Sequence, residues 1–281
     1  MKAFIISYFG PNSDRRQRRV DYHQQQIDWL LENGFKKKDI YISCRKYQDT
    51  EFIKGINYSI RTGESGIKGI ANSRNELLDI FYKTNDPWGL FLDNDSILDE
   101  RNRGDIFEVI RKGTEFHGLG LFTPINPATP GRGAFNKIWE KDPVDDYWVF
   151  QQGTTSGKMF FMKNLPLFNY KECYFRPDVL AGEDILFGFE VAKQGLNPAW
   201  CHNIVINELA KKVADEMVWK SKSDATTRQE YNLIYKDTAV ELYPAMRIES
   251  GKLRASPHFK MYKVPTRLVF PKKKIKGLFS K

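Results

Sequence analysis

The sequence predicts an α/β domain, a central sheet of mostly parallel strands with helices on its faces. Short apolar runs bounded by turn residues alternate with longer segments of helical period. Such alternation is the signature of a layered sheet. One run, Trp88–Leu92, delivers Asp93 and Asp95 at its end, with Asn94 between them. Open α/β sheets gather ligand-binding groups at the carboxyl ends of strands. A chain of 281 residues suits one large domain with a small appendage.

The elements follow in order. Lys2–Phe9 (KAFIISYF) reads as a buried strand closed by the turn signal Gly10-Pro11-Asn12. Val20, His23, Ile27, Leu30 and Leu31 share one face of a helix that stops at Asn33-Gly34. Asp39–Cys44 (DIYISC) is a second strand. The segment Arg61–Lys83 opens in a glycine-rich loop and passes into a helix from about Ile70. Trp88–Leu98 is the next strand, Arg103–Gly113 a helix and His117–Ile125 a strand, before the Gly/Pro-rich loop Asn126–Lys137. Ser156–Asn164 is a strand, Ala181–Gly195 a short helix, and Ala199–Asn207 a strand again. From Leu209 to Tyr243 the sequence is charged and helix-prone. There is no internal repeat.

Composition sets further bounds. Hydrophobic residues are 41% and charged residues 28%, the balance of a core-forming globular chain. No apolar run is long enough to span a bilayer, and the opening MKAFIISYFGPNSD turns polar too soon for a signal peptide. Three cysteines, Cys44, Cys173 and Cys201, have no CxxC spacing and fit free thiols in a reducing cytoplasm.

The net charge of +9 is local. Ten of the 44 basic residues lie from Lys252 onward, leaving 34 against 35 acids, and no acid follows Glu249. The tail interleaves these charges with aromatics (HFKMYKVPTRLVFPKKKIKGLF), and a second basic cluster stands at Arg15, Arg16, Arg18 and Arg19. Such segments suit a polyanion, a nucleic acid or an anionic membrane face, and equally a solvated tail or helix face.

Three constellations carry chemistry. Asp93 and Asp95, two apart on an extended segment, should point to one face, where a hard divalent cation would relieve their repulsion and bridge a diphosphate. In Gly63–Leu78 (GESGIKGIANSRNELL) the glycines at 63, 66 and 69 open backbone N–H groups to an anion, and Lys68 and Arg74 add charge. The segment has neither the GxxxxGK[ST] nor the GxGxxG pattern. In Ala181–Val191 (AGEDILFGFEV), Glu183 and Asp184 fall at a helix N-terminus, which stabilises carboxylates and can present a base.

In this order, NSRN (Asn72–Asn75), DND (Asp93–Asp95) and GED (Gly182–Asp184) resemble the nucleotide-sugar glycosyltransferases of the GT-A, Rossmann-like fold, especially glycosyltransferase family 2. The resemblance covers roughly residues 1–207, implying a catalytic and nucleotide-sugar-binding unit there, a helical extension at 208–251 and a basic tail at 252–281. It implies that the loop Ser7–Pro11, with Ser7, Phe9 and Pro11, holds the nucleotide base, and that Lys68, Arg74 and Asn94 belong to the donor site. Arg74 would contact the diphosphate or support that pocket, Asp93 would sit near the ribose, and Asp95 would bind Mn²⁺ or Mg²⁺. Asp184 would be the general base, with Glu183 beside it, in an inverting displacement. Family members often carry a metal-binding histidine after the GED helix; here Asn207 stands at that place, with His202 nearby.

The chain is also similar, in size and in its opening ISYFGPNSDRRQRR, to the DNA-modifying glucosyltransferases of T-even-type bacteriophages. That resemblance implies UDP-glucose as donor and an acceptor on double-stranded DNA, either hydroxymethylcytosine or a glucose already attached to it, in the cytoplasm of a host cell. An envelope polysaccharide or lipid-linked glycan is the alternative acceptor, with the tail on anionic lipid. A non-catalytic nucleic-acid-binding protein on the same fold is the reading from another class.

Overall fold

A computed structural model describes residues 1–8, 13–45, 53–61, 66–98, 119–125, 147–152, 155–179, 183–209, 246–249, 252–255 and 261–265. It has the expected α/β architecture. The strands are β1 (Lys2–Tyr8), β2 (Ile40–Arg45), β3 (Asn57–Arg61), β4 (Trp88–Asp93), β5 (Ser96–Leu98), β6 (Leu119–Ile125), β7 (Tyr147–Gln152), β8 (Met159–Lys163), β9 (Asn197–Glu208), β10 (Met246–Glu249), β11 (Lys252–Ala255) and β12 (Met261–Pro265). The helices are α1 (Ser13–Glu32), α2 (Gly66–Tyr82) and α3 (Glu183–Ala192).

The main sheet has the order β12-β7-β9-β6-β8-β4-β1-β2-β3, with β5 paired to β9. Strands β3, β2, β1 and β4 form a parallel block. Strand β8 runs antiparallel to both β4 and β6, and β6 runs parallel to β9. Hence β3, β2, β1, β4, β6, β9 and β12 point one way, with β8 and β7 reversed on the main path. The carboxyl ends of β1, β4 and β9, the start of β8 and the N-terminus of α3 therefore share one end of the sheet.

Alternation along the strands divides the core into two layers. Ala3, Ile5, Leu90 and Leu92 face α1, where they meet Ile27 and Leu30. Phe4 and Phe91 face the other way, onto Ala71, Leu78 and Phe81 of α2. There Phe4 stacks on Phe91 at 4.8 Å and Phe91 on Phe160 at 4.9 Å, an aromatic ladder across β1, β4 and β8. Fully burying each such ring contributes about 2–3 kcal/mol. At the chain reversals after α1 and α3, Gly34 and Gly195 take φ of 83° and 81°, the left-handed region expected of a helix-ending glycine.

Several boundaries differ from the sequence expectation. Helix α2 begins at Gly66, ahead of Ile70, and takes Lys68 and Gly69 into its first turns. The strand expected over Trp88–Leu98 is broken by a turn at Asn94-Asp95 into β4 and β5. Strands β3 and β7 have no counterpart in the sequence expectation. In the C-terminal region β10 and β11 form a hairpin across the boundary placed at Gly251, and β12 joins the sheet beside β7. The expected helix Arg103–Gly113, the loop Asn126–Lys137, the charged segment 210–245 and most of the basic tail lie outside the described residues. Among the described residues no helix is long and apolar enough to cross a membrane. All three cysteines are buried and free.

Candidate active site

The helical period of α2 turns Ala71, Arg74, Leu78 and Phe81 inward together, so a guanidinium enters an otherwise apolar face. Arg74 is 4% exposed. Its Nη1 donates to Glu183 Oε1 at 2.8 Å, and its Nη2 donates to Asp93 Oδ1 at 3.0 Å and to the Gly157 carbonyl at 2.8 Å. The guanidinium lies 5.1 Å from the ring centre of Phe175. Asn75 pins that ring's backbone, accepting from Phe175 N at 2.7 Å and donating to Phe175 O at 2.9 Å. The NSRN segment thus supplies a buried cation and the clamp for the ring beneath it. Arg74, expected to contact the diphosphate or to support its pocket, binds Asp93 and Glu183.

Gly157 joins the halves through its backbone. Its carbonyl accepts from Arg74, while its N–H donates to Asp184 Oδ2 at 2.8 Å. A Cβ there would stand 2.5 Å from Arg74 Nη2, so the close approach requires glycine. Asp184 Oδ1 also accepts from Ile185 N at 2.9 Å, which fixes the carboxylate at the start of α3. Next along the chain, the Lys158 carbonyl accepts from Asp93 N at 2.8 Å, and Lys158 Nζ pairs with Glu208 Oε1 at 2.5 Å.

Asp93 and Asp95 do not point to one face. Asp93 closes β4 on the α2 side and meets Arg74, whereas Asp95 lies in the turn and meets Arg19 of α1 at 2.5 Å. The turn ends the extended geometry on which alternation depends. The turn is held from below by Gln26, whose Nε2 donates to the carbonyls of Asp93 and Ser96, both at 2.6 Å, and from the side by Leu209 N, which donates to Asp95 O at 2.8 Å. Asn94 is 4% exposed, and its Nδ2 has no hydrogen-bond partner among the described residues.

The electrostatics follow from burial. Burial raises the Asp93 carboxyl, as does the charge of Asp95, and Arg74 opposes the rise. Glu183 is also raised, by burial first and then by Asp184, again against Arg74. Arg74 is held in its charged form by Asp93, Glu183 and Asp184 despite its own burial.

The remaining expected site residues are dispersed. Ser7 is buried, and its hydroxyl lies 3.2 Å from His23 Nδ1, inside the protein. Lys68 is exposed in the first turn of α2. Phe9 and Pro11 lie outside the described residues. Asn207 pairs with Ile97 across β5, next to the Asp95 turn. His202 falls where the register of β9 against β6 jumps from Cys201 to Val205, beside the end of β6 and not opposite β5. In the Arg15–Arg19 cluster, Arg19 is committed to Asp95 and Arg18 is exposed; the side chains of Arg15 and Arg16 lie outside the described residues.

Gln26, Gly157, Lys158 and Glu208 escaped the sequence reading, and Arg19 entered it only as one of a basic cluster, not as the partner of Asp95. Arg19 and Gln26 carried a usable signal, their i, i+7 spacing with His23 between them at i+4. The Gly157 contacts are made by backbone and leave little trace in residue type.

Among the described residues no three His, Cys, Asp or Glu side chains converge to hold a metal ion. A divalent cation on a diphosphate needs only one or two protein carboxylates, since phosphate oxygens and water fill the other positions. Asp95, part-buried at the turn, offers one carboxylate to that smaller demand.

No family model matches the chain, and no curated protein matches it. Among solved structures it is similar to S. aureus TarS 1–349 in complex with UDP-GlcNAc, at 12% identity and a TM-score of 0.45, over 93% of this chain and 99% of that one. It is similar to A197 from STIV at 16% identity and a TM-score of 0.38, over 74% and 85% of the two chains. It is also similar to GalNAc-T7 with UDP, GalNAc and Mn²⁺, at 8% identity and a TM-score of 0.47, over 87% of this chain and 50% of that one. These are distant likenesses of fold.

Proposed function

We propose that the protein transfers a sugar from a nucleotide-sugar donor to an acceptor hydroxyl, with inversion at the anomeric carbon. The observation that carries this reading is the joining of Asp93, at the end of β4, to Asp184, at the start of α3, through Arg74 and the backbone of Gly157. A donor-side turn and a fixed carboxylate thus share one end of the sheet.

In the reaction proposed, Asp184 takes the proton of the acceptor hydroxyl while the oxygen attacks the anomeric carbon. The bond from that carbon to the diphosphate oxygen breaks, and the electron pair leaves with the nucleoside diphosphate. An α-linked donor gives a β-glycoside. The two backbone N–H groups on Asp184 hold it in place for this proton transfer. A divalent cation, held by Asp95, would neutralise the charge on the diphosphate. Arg74 acts from within, positioning Asp93 and Gly157.

The donor we propose is UDP-glucose, and the acceptor a hydroxyl of modified DNA, on hydroxymethylcytosine or on a glucose already attached to it. The acid-free run of ten basic residues from Lys252, interleaved with aromatics, supports a polyanionic acceptor. The test is a screen of UDP-sugars, with and without Mn²⁺, against hydroxymethylated and glucosylated duplexes. Glucose transfer is expected from the intact protein and is expected to vanish in Asp95→Ala. Replacing Lys272, Lys273 and Lys274 with glutamine should weaken duplex binding and flatten its salt dependence, by a log–log slope of about 0.9 for each phosphate no longer neutralised. An intact protein that binds no duplex DNA at low salt contradicts the DNA acceptor, and transfer unaffected by Asp95→Ala contradicts the role of the turn.

A further inference from the structure

The pairing of Asp95 with Arg19 raises a question of occupancy. If Asp95 serves a divalent cation, its carboxylate already holds a protein cation. Arg19 Nη1 meets Asp95 Oδ2 at 2.5 Å, and the two side chains are 20% and 18% exposed. The other carboxylate oxygen, Oδ1, lies 3.5 Å from Ser96 Oγ.

Arg19 is also delivered to this position by the fold. On α1, residues 19, 23 and 26 share the sheet-facing side at i, i+4 and i+7. His23 meets Ser7 of β1, and Gln26 binds two carbonyls of the very turn that carries Asp95. Both His23 and Gln26 are 0% exposed, so the helix is fixed against the turn just beyond the arginine. The guanidinium and the turn are thus built to meet.

Resting on the donor reading above, we propose that Arg19 is the resident counter-ion of Asp95, and that a divalent cation enters this site by exchange with Arg19. An anionic diphosphate arriving with the cation gives the displaced guanidinium a new partner, since both groups end beside phosphate oxygens. Cation and donor therefore load together. In the absence of a nucleotide, Arg19 keeps Asp95 from taking the ion, so the nucleotide-free site discriminates against a bare metal.

The test uses Mn²⁺ alone, titrated into the nucleotide-free full chain and followed by the loss of the free-ion electron paramagnetic resonance signal. Arg19→Gln removes the competitor and is expected to tighten Mn²⁺ binding by about fivefold, the upper end for an ion pair near the surface. Asp95→Asn in the same background should abolish that gain. Arg18→Gln removes an equal charge one residue away, on an exposed side chain. It should leave the affinity within about twofold of the unsubstituted protein, since exposed charges are screened. Near-native far-UV circular dichroism of each variant shows that the helix still docks.

Mn²⁺ affinity unchanged or lowered in Arg19→Gln overturns the proposal, as does an equal gain from Arg18→Gln. Failure of the donor reading shows elsewhere: UDP-glucose then binds to neither the unsubstituted protein nor any variant, with or without Mn²⁺. The metal titration decides the exchange in either case.

Discussion

At the residue scale, the centre of the site is a cation placed where the sequence pattern calls for an apolar side chain. Arg74 is buried and binds two carboxylates and a carbonyl, so removing it strips the nearly buried Glu183 and the part-exposed Asp93 of their partner. Breaking a buried pair in this way costs about 3–5 kcal/mol. Urea unfolding of Arg74→Ala is therefore expected to show a loss on that scale, and Arg74→Lys a partial rescue, because an ammonium lacks the planar fork. A loss below about 1 kcal/mol would mean that the acids do not depend on this guanidinium. The identity of Arg74 as a special position was legible from NSRN and its neighbours. Its direction is legible too, from its spacing with Ala71 and Leu78.

At the scale of elements, α1 does more than cover the sheet. Its inward stripe of Arg19, His23 and Gln26 locks the turn between β4 and β5. His23 brings a pH dependence with it. Burial pushes its imidazole down from 6.5 to about 3. Between those values the unfolded chain binds a proton that the native protein refuses, so this residue's contribution falls as the pH drops. Asp93 and Glu183, raised by burial, take up protons in the native state and act in the opposite sense. His23→Asn leaves those acids in place, so the difference between the two proteins isolates the histidine. Going from pH 7 to pH 4.5, the unsubstituted protein is expected to lose about 2–3 kcal/mol more than His23→Asn in denaturant unfolding. Parallel losses would show that the imidazole titrates normally.

The strands that sequence reading located are those buried on both faces, such as β1 and β4, whose apolar runs are continuous. Strand β3 was missed because Asn57–Arg61 is an edge strand with Tyr58 and Ile60 exposed, and it has no apolar run to announce it. The expected common face for Asp93 and Asp95 failed for a local reason: a turn cannot preserve a period of two. The contacts of Gly157 are backbone contacts and became visible only in three dimensions.

At the scale of the whole molecule, the order of the strands decides what can meet. Reversal of β8 between β4 and β6 brings Gly157 and Lys158 to the carboxyl end of β4, beside Asp93. Helix α3 returns to the same end and sets Asp184 on Gly157. The C-terminal region takes part in the architecture as well, since β12 extends the sheet beyond β7. A charged tail read from composition alone gives no sign of that strand.

Glycosyl transfer at this sheet end, as proposed, depends on Asp184 as base. Its most direct test compares UDP-glucose binding by calorimetry with UDP release in the presence of glucosylated or hydroxymethylated DNA, for the unsubstituted protein and for Asp184→Asn. In Asp184→Asn, donor affinity within about twofold and turnover reduced by about a hundredfold or more are expected, the scale of a lost general base. Turnover by Asp184→Asn at the rate of the unsubstituted protein would contradict it.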